Sequence, residues 1–200
     1  MTKRIAHRIT KNFVTRVPLC EIDFCIKSLS YFCEMLAPSE KALWQQVTAQ
    51  FKLGHDSVHG PSHWLTVRRN ALYLSRFHEA DEQVVRLFAL FHDSCRENEF
   101  RDPQHGPRGA QLAIEFRGAG HFHLDDARML LLVTACEIHN GARPQSDATL
   151  GVCLDADRLD LGRVGILPDP KHLSTSTARH IAKRGAWNRL ADSNSADSSS

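Results

Sequence analysis

The sequence predicts an all-α fold of about six to eight helices. Apolar residues recur at helical spacing in one segment after another, and the alternating pattern of a half-buried strand is nearly absent. Residues that typically begin or end helices separate these segments, and the intervening loops are short. Because 200 residues are enough for one sizeable core, we expect a single compact helical domain.

The composition is that of an ordinary globular protein, with 42% hydrophobic and 24% charged residues. A net charge of +2 is too small to indicate nucleic acid or an acidic membrane as the main partner. Six cysteines form no C-x-x-C pair, which indicates free thiols. No apolar run approaches the roughly 18 residues of a membrane helix, and the N-terminus lacks the apolar core of a secretory signal. We therefore expect a cytoplasmic protein without a membrane partner, and leave open whether it forms a homo-oligomer.

Both ends of the chain differ in composition from the predicted domain at residues 39–190. Residues 1–38 are expected to form a basic, helical extension, since residues 1–16 contain five basic and no acidic residues and residues 19–36 are apolar on one side. The extension could contact RNA or an anionic surface, be a frayed start, or be an organellar transit peptide. Residues 191–200 are Ser, Asp, Asn and Ala, a composition typical of disorder.

Start and stop signals divide the domain into helices. We expect helices from Ser39 to near Gly54, from Ser62 through Leu74, from Val84 to Phe91 behind an N-cap at Asp81, from Asp102 to Gly118, from Leu124 to His139, from Ala148 to Leu161, and from Lys171 to Trp187.

The helix from Val84 to Phe91 is the centre of the functional prediction. It is apolar on both faces, which predicts burial, and it leads directly into His92 and Asp93. A buried charge without a partner costs several kcal/mol or is neutralised. A divalent cation beside these two side chains would remove that cost.

Four candidate metal ligands lie on predicted helices and are flanked by apolar residues: His63, His92, Asp93 and Asp155. Two imidazoles and two carboxylates leave one or two positions for water, and they suit Mn, Fe, Co, Ni or Mg better than a closed structural zinc site. Asp157 and Asp160, two and five residues beyond Asp155, are not expected to share its helix face and are interpreted as solvated or paired with arginines.

Three segments resemble the H…HD…D pattern of HD-domain metal-dependent phosphohydrolases: HGPSHWLTVRRNA, ALFHDSCRENEFRDPQHG and CLDADRLD. The resemblance covers about residues 54–166. A His-Asp dipeptide alone does not identify the family, since a second one occurs at His55 and Asp56. The specific signal is that the four candidate ligands occur in the order of the family pattern. The resemblance implies a helical domain of the HD type, one or two divalent ions on the four ligands, and hydrolysis of a phosphate ester by a metal-activated water.

The same resemblance points to further site residues. Members with two metal ions use two additional histidines, and His105 and His139 stand at suitable places to bind a second ion or the substrate phosphate. The family commonly has an arginine where this chain has Thr66, which could alter a structural contact.

Three further side chains are candidates for direct roles beside the metal. Asp93 could deprotonate or orient the attacking water. Arg96 and Arg158 each follow a ligand by one helical turn and could neutralise phosphate charge, although ordinary ion pairs explain them equally well. His59 either lines the pocket or is an exposed loop residue.

These observations predict a metal-dependent phosphohydrolase acting on a small phosphorylated, nucleotide-like substrate. The alternatives are a phosphodiesterase of cyclic or linear dinucleotides and a non-catalytic, nucleotide-sensing HD domain. A third class, a structural or nucleic-acid-binding protein, would use the basic segment at residues 1–16.

Overall fold

The computed structural model describes residues 36–185, and within this range the chain forms α-helices and no strand, which confirms the predicted all-α fold. The predicted basic extension, apart from its last residues, and the predicted disordered tail lie outside the described range. The helices are α1 (Pro38–Ala49), α2 (Pro61–Ser75), α3 (Glu82–Phe91), α4 (His105–Gly118), α5 (Asp126–Ile138), α6 (Ala148–Arg158) and α7 (Ser176–Lys183), with 3₁₀ turns at Leu161–Val164 and Pro170–His172.

Several helices begin at the polar caps that the sequence supplies. Asp81 is the N-cap of α3, as predicted, and its side chain accepts a hydrogen bond from the Val84 amide at 2.9 Å. The same carboxylate accepts a hydrogen bond from Arg128 of α5 at 2.7 Å, so the cap also joins two helices. Asp125, Asp147 and Thr175 cap α5, α6 and α7 in the same way.

The start of α2 differs from the prediction. The helix begins at Pro61 with Gly60 as its N-cap, two residues before the predicted cap Ser62. Proline is favoured in the first helical turn because it lacks the amide hydrogen that would have no partner there. The last helix is also shorter than predicted, because Thr175 caps a separate helix after the 3₁₀ turn at Pro170–His172.

Helix α3 is the buried centre of the fold, as its composition predicted. Val84, Val85, Phe88 and Phe91 are fully buried, and the helix packs against α2, α4, α5 and α6. His92 and Asp93 follow at its C-terminal end and are therefore inside the protein.

Two glycines of α4 allow close backbone contact with its neighbours. A Cβ atom on Gly109 would lie 2.2 Å from the Phe91 carbonyl oxygen, and one on Gly106 would lie 2.3 Å from the Cys136 carbonyl oxygen. Only glycine permits these approaches to α3 and α5. They bring the N-terminus of α4, with His105, to the end of α3.

Among residues 36–185, no helix has both the length and the hydropathy of a membrane span.

Candidate metal centre

The first group of ligands comes from three helical segments. His63 lies on α2, His92 directly follows α3, and Asp157 lies on the last turn of α6. The Nε2 atoms of His63 and His92 are 3.1 Å apart, and Asp157 Oδ1 lies 3.3 Å from the first and 3.9 Å from the second. These three ligand atoms are close enough together to hold one metal ion. We call His63, His92 and Asp157 the first triad.

Hydrogen bonds on the far side of each ring direct these Nε2 atoms inward. His92 Nδ1 lies 3.1 Å from the Ala89 carbonyl oxygen and 3.2 Å from that of Phe88, while the ring stacks on the Phe88 side chain. His63 Nδ1 lies 2.7 Å from Asp160 Oδ2. Because these oxygens can only accept, each Nδ1 donates its hydrogen, and in the neutral form of each ring Nε2 keeps a lone pair for a metal.

The second group of ligands is Asp93, His105 and His139, the second triad. His105 Nε2 and His139 Nε2 are 2.8 Å apart, and Asp93 Oδ1 lies 3.1 Å and 3.5 Å from them. His139 Nδ1 faces the Cys136 carbonyl oxygen at 2.7 Å, and His105 Nδ1 faces that of Asp102. If both Nδ1 atoms donate, two lone pairs meet at the Nε2 contact. A cation or a proton between them removes that repulsion.

Asp93 belongs to the second triad and also faces the first. Its Oδ2 is 3.7 Å from His63 Nε2 in the first triad, while its Oδ1 contacts both histidines of the second. The carboxylate is almost fully buried. Burial by itself would raise its pKa, but hydrogen bonds from His139 and His59 outweigh that effect and hold the pKa well below its ordinary range. Asp93 is therefore ionised and can be shared by two cations.

The four histidines divide into two electrostatic classes. Burial lowers the pKa of His92 to about 3, and burial also lowers the pKa of His105. Burial acts in the same direction on His63 and His139, but carboxylates outweigh it and raise both pKa values: Asp157 and Asp160 for His63, and Asp93 for His139. A metal ion binds the neutral form of each ring, so it would replace a proton at His63 and at His139.

Comparison with known proteins provides one match. No protein-family model matches the chain, and no curated protein does. The crystal structure of a predicted HD superfamily hydrolase from an uncultured Thermotogales bacterium is similar, with a TM-score of 0.60 and 24% sequence identity over 84% of this chain and 95% of that one. The chain has the HD-domain fold. The resemblance found in the sequence is thus confirmed at the level of the fold.

Within this HD-domain fold, the structure brings together three of the four predicted metal ligands. His63, His92 and Asp93 converge, but Asp155 does not join them. Both carboxylate oxygens of Asp155 accept backbone hydrogen bonds at 2.7 Å, one from Ser174 and one from Thr175. Asp155 is fully buried, and burial raises its pKa.

Asp157 occupies the position that was predicted for Asp155. The sequence pattern predicts that Asp157 is solvated or paired with an arginine, whereas its carboxylate faces His63 and His92 with 14% of the side chain exposed. The physical reason is that α6 is buried on more than one face: Val152, Cys153 and Leu154 are all inaccessible. Apolar neighbours therefore did not identify the face that points toward the site.

The two predicted phosphate-binding arginines have different surroundings. Arg96 is buried beside the centre, where its Nε donates to Asp93 Oδ1 at 3.2 Å and its Nη1 donates to the Phe100 carbonyl oxygen at 3.1 Å. Among the described residues, its ion pair is therefore with Asp93 rather than with the acidic residues that follow it. Arg158 donates instead to the carbonyl oxygens of His172 and Ala142, at 2.6 and 2.5 Å.

His59 lies at the edge of the centre. It is half-buried, and its Nδ1 lies 2.9 Å from Asp93 Oδ2. Trp64 Nε1 donates to the His59 carbonyl oxygen at 2.7 Å and so fixes this loop residue against α2. By contrast, His55 and Asp56, the second His-Asp dipeptide, are exposed.

Proposed function

We propose that the protein is a metal-dependent phosphohydrolase that cleaves a phosphate ester of a nucleotide or a related small molecule. The observation that carries the proposal is the position of Asp93, an ionised and buried carboxylate of the second triad that also faces His63 of the first. The similarity in fold to a protein described as a predicted HD superfamily hydrolase supports the same reaction class.

The donor atoms fit two divalent cations. The first triad would hold one ion and the second triad the other, with Asp93 between them. Imidazole nitrogen and carboxylate oxygen suit Mn, Fe, Co, Ni or Mg, and three protein ligands in each triad leave positions for water and substrate. When bound, such ions polarise phosphoryl oxygens and lower the pKa of water.

Asp93 and its neighbours orient the reactants. Because Asp93 stays ionised, its oxygens can accept a hydrogen bond from the attacking water and direct the lone pair of that water toward phosphorus. Arg96 donates to Asp93 Oδ1 and limits its rotation. His59 contacts Asp93 Oδ2 at the rim of the centre and helps to hold that carboxylate in place.

The test is a hydrolysis assay over a panel of phosphate esters, with Mn²⁺, Co²⁺, Ni²⁺ or Mg²⁺ added to metal-free protein. The panel contains nucleoside monophosphates, deoxynucleoside triphosphates and cyclic dinucleotides. We expect metal-dependent release of phosphate from a nucleotide. Cleavage of cyclic dinucleotides alone would favour a phosphodiesterase instead.

Asp93→Asn and Asp56→Asn are matched variants, because each aspartate follows a histidine but only Asp93 is in the centre. We expect Asp93→Asn to lose at least about 100-fold in rate, since residues that merely support metal ligands already contribute about 10–100-fold. Asp56→Asn should retain the wild-type rate. If the wild-type protein binds nucleotides and metal without turnover, the reaction is refuted and the protein senses nucleotides.

A further inference from the structure

Asp160 contacts the side of the His63 ring opposite the candidate metal. Its Oδ2 lies 2.7 Å from His63 Nδ1, while Asp157 Oδ1 lies 3.3 Å from His63 Nε2. Both aspartates belong to one turn of the chain, because the Asp160 amide donates to the Asp157 carbonyl oxygen at 2.9 Å as α6 ends. A single turn therefore supplies both Asp157, a candidate metal ligand, and Asp160, a hydrogen-bond partner of the His63 ring.

The contact determines which nitrogen of His63 carries the hydrogen. A neutral imidazole has one donor and one acceptor nitrogen, and an ionised carboxylate only accepts. With Asp160 at Nδ1, the hydrogen stays there and the lone pair remains on Nε2. Among the four histidines of the two triads, His92, His105 and His139 direct Nδ1 to backbone carbonyl oxygens, whereas His63 directs it to a carboxylate.

Asp160 is itself held in place by Arg163. The Arg163 Nη1 atom donates to the Asp160 carbonyl oxygen at 3.1 Å and lies 3.8 Å from Oδ2. Its Nε donates to the Val58 carbonyl oxygen at 2.8 Å, in the loop that precedes α2. Arg163 therefore fixes Asp160 relative to the loop before the helix that carries His63, independently of the imidazole contact.

We propose that Asp160 is a positioning residue of the metal centre, which fixes the tautomer and the ring orientation of His63 for binding a divalent cation. A carboxylate on the far nitrogen also makes an imidazole a more basic ligand. The proposal rests on the metal centre of the proposed function, but it does not require the substrate to be known.

A purely structural ion pair would explain the same distances without a metal. In that case His63 is an imidazolium ion that Asp157 and Asp160 contact from both sides. Removal of Asp160 would then weaken the fold and leave metal affinity unchanged. Metal affinity therefore separates the two explanations.

The experiment is a calorimetric titration of metal-free full-length protein with Mn²⁺ at pH 8, without substrate. We expect Asp160→Ala to weaken one of two Mn²⁺-binding steps by about 10–100-fold and to leave the other unchanged, because the Asp160 carboxylate contacts His63 of the first triad and the side chain of Arg163. Asp160→Asn should retain part of the Mn²⁺ affinity that Asp160→Ala loses, since the amide oxygen of asparagine can still accept a hydrogen bond from His63 Nδ1. Asn also serves as the test variant if Asp160→Ala does not fold.

Asp147→Ala is the control for a general loosening of α6. Asp147 caps that helix by accepting from the Leu150 amide at 2.8 Å, and it lies at the end opposite Asp157. We expect this variant to keep both Mn²⁺ affinities. An equal loss in Asp147→Ala, or unchanged affinity in folded Asp160→Ala, would overturn the proposal.

Nitrogen-15 spectra of the histidine rings provide a second readout. In metal-free protein at pH 9, wild-type His63 should carry its hydrogen on Nδ1, and Asp160→Ala should release this preference. A wild-type protein that binds no Mn²⁺ would refute the metal centre and this inference together. Failure to hydrolyse any ester would affect the proposed reaction alone, because the titration needs no substrate.

Discussion

Asp155 and Asp157 lie two positions apart on one helix, and the structure predicts a different consequence for the replacement of each. Asp155 accepts two backbone hydrogen bonds in a fully buried position and joins the end of α6 to the start of α7. Asp157 faces the two histidines of the first triad. Loss of the first should therefore reduce stability, and loss of the second should reduce metal binding.

The size of the stability effect follows from the two contacts. A hydrogen bond to a charged group contributes about 1.5–3 kcal/mol, so two contribute about 3–6 kcal/mol to the free energy of unfolding. Burial raises the Asp155 pKa, which shows that ionising this group in the folded protein has an opposing desolvation cost. We therefore expect Asp155→Ala to lose about 3 kcal/mol, at the lower end of that range.

The assay is urea denaturation of metal-free protein at pH 7, followed by Mn²⁺ titration under native conditions. Asp155→Ala should unfold at a lower urea concentration with an unchanged slope, and its folded fraction should bind Mn²⁺ with wild-type affinity. Asp157→Ala should bind Mn²⁺ at least about tenfold more weakly. If Asp155→Ala lost metal without losing stability, Asp155 would be a ligand and the assignment of Asp157 would be wrong.

Two further predictions concern the helices that support the centre. Gly109→Ala should reduce the free energy of unfolding by about 1–3 kcal/mol in urea denaturation, because its Cβ would meet the Phe91 carbonyl oxygen. Gly118→Ala, on the same helix with nothing within 4 Å, should be neutral or stabilising; equal losses in both would contradict the close approach. A hydrogen bond from Arg128 lowers the pKa of Asp81 in the folded protein. The charge of Asp81 therefore stabilises the fold fully above the pKa of about 4 that this group has in the unfolded chain. This stabilisation is lost as the pH falls through the lower pKa of the folded protein. The difference in unfolding free energy between wild type and Asp81→Asn should be about 1 kcal/mol at pH 7 and shrink below pH of about 4; a difference independent of pH would refute the ion pair.

The sequence was sufficient for the all-α fold and for the burial of its central helix. Apart from Arg86, the helix at Val84–Phe91 is apolar, so its burial followed directly from the sequence, and so did the placement of His92 and Asp93 inside the protein. Asp81 as its cap followed from the preference of helix starts for short polar side chains.

Other parts of the site depend on contacts between distant segments. His105 and His139 are adjacent only because Gly106 lets α4 approach α5, a contact that no local pattern encodes. The structure places Asp157, and not Asp155, beside His63 and His92, and the local pattern could not distinguish the two because α6 is buried on several faces. Asp160 lies beyond the helix end, so its contact with His63 depends on the turn that follows.

The central claim is that Asp93, a member of the second triad, links the two triads into one centre for two metal ions, and metal content measured by mass spectrometry tests this claim most directly. Wild-type protein and Asp56→Ala, after incubation with Mn²⁺ and removal of free metal, should each carry about two ions per chain. Asp93→Ala should lose them while retaining its helical circular dichroism. Equal metal content in all three folded proteins, or none in any of them, would contradict the account.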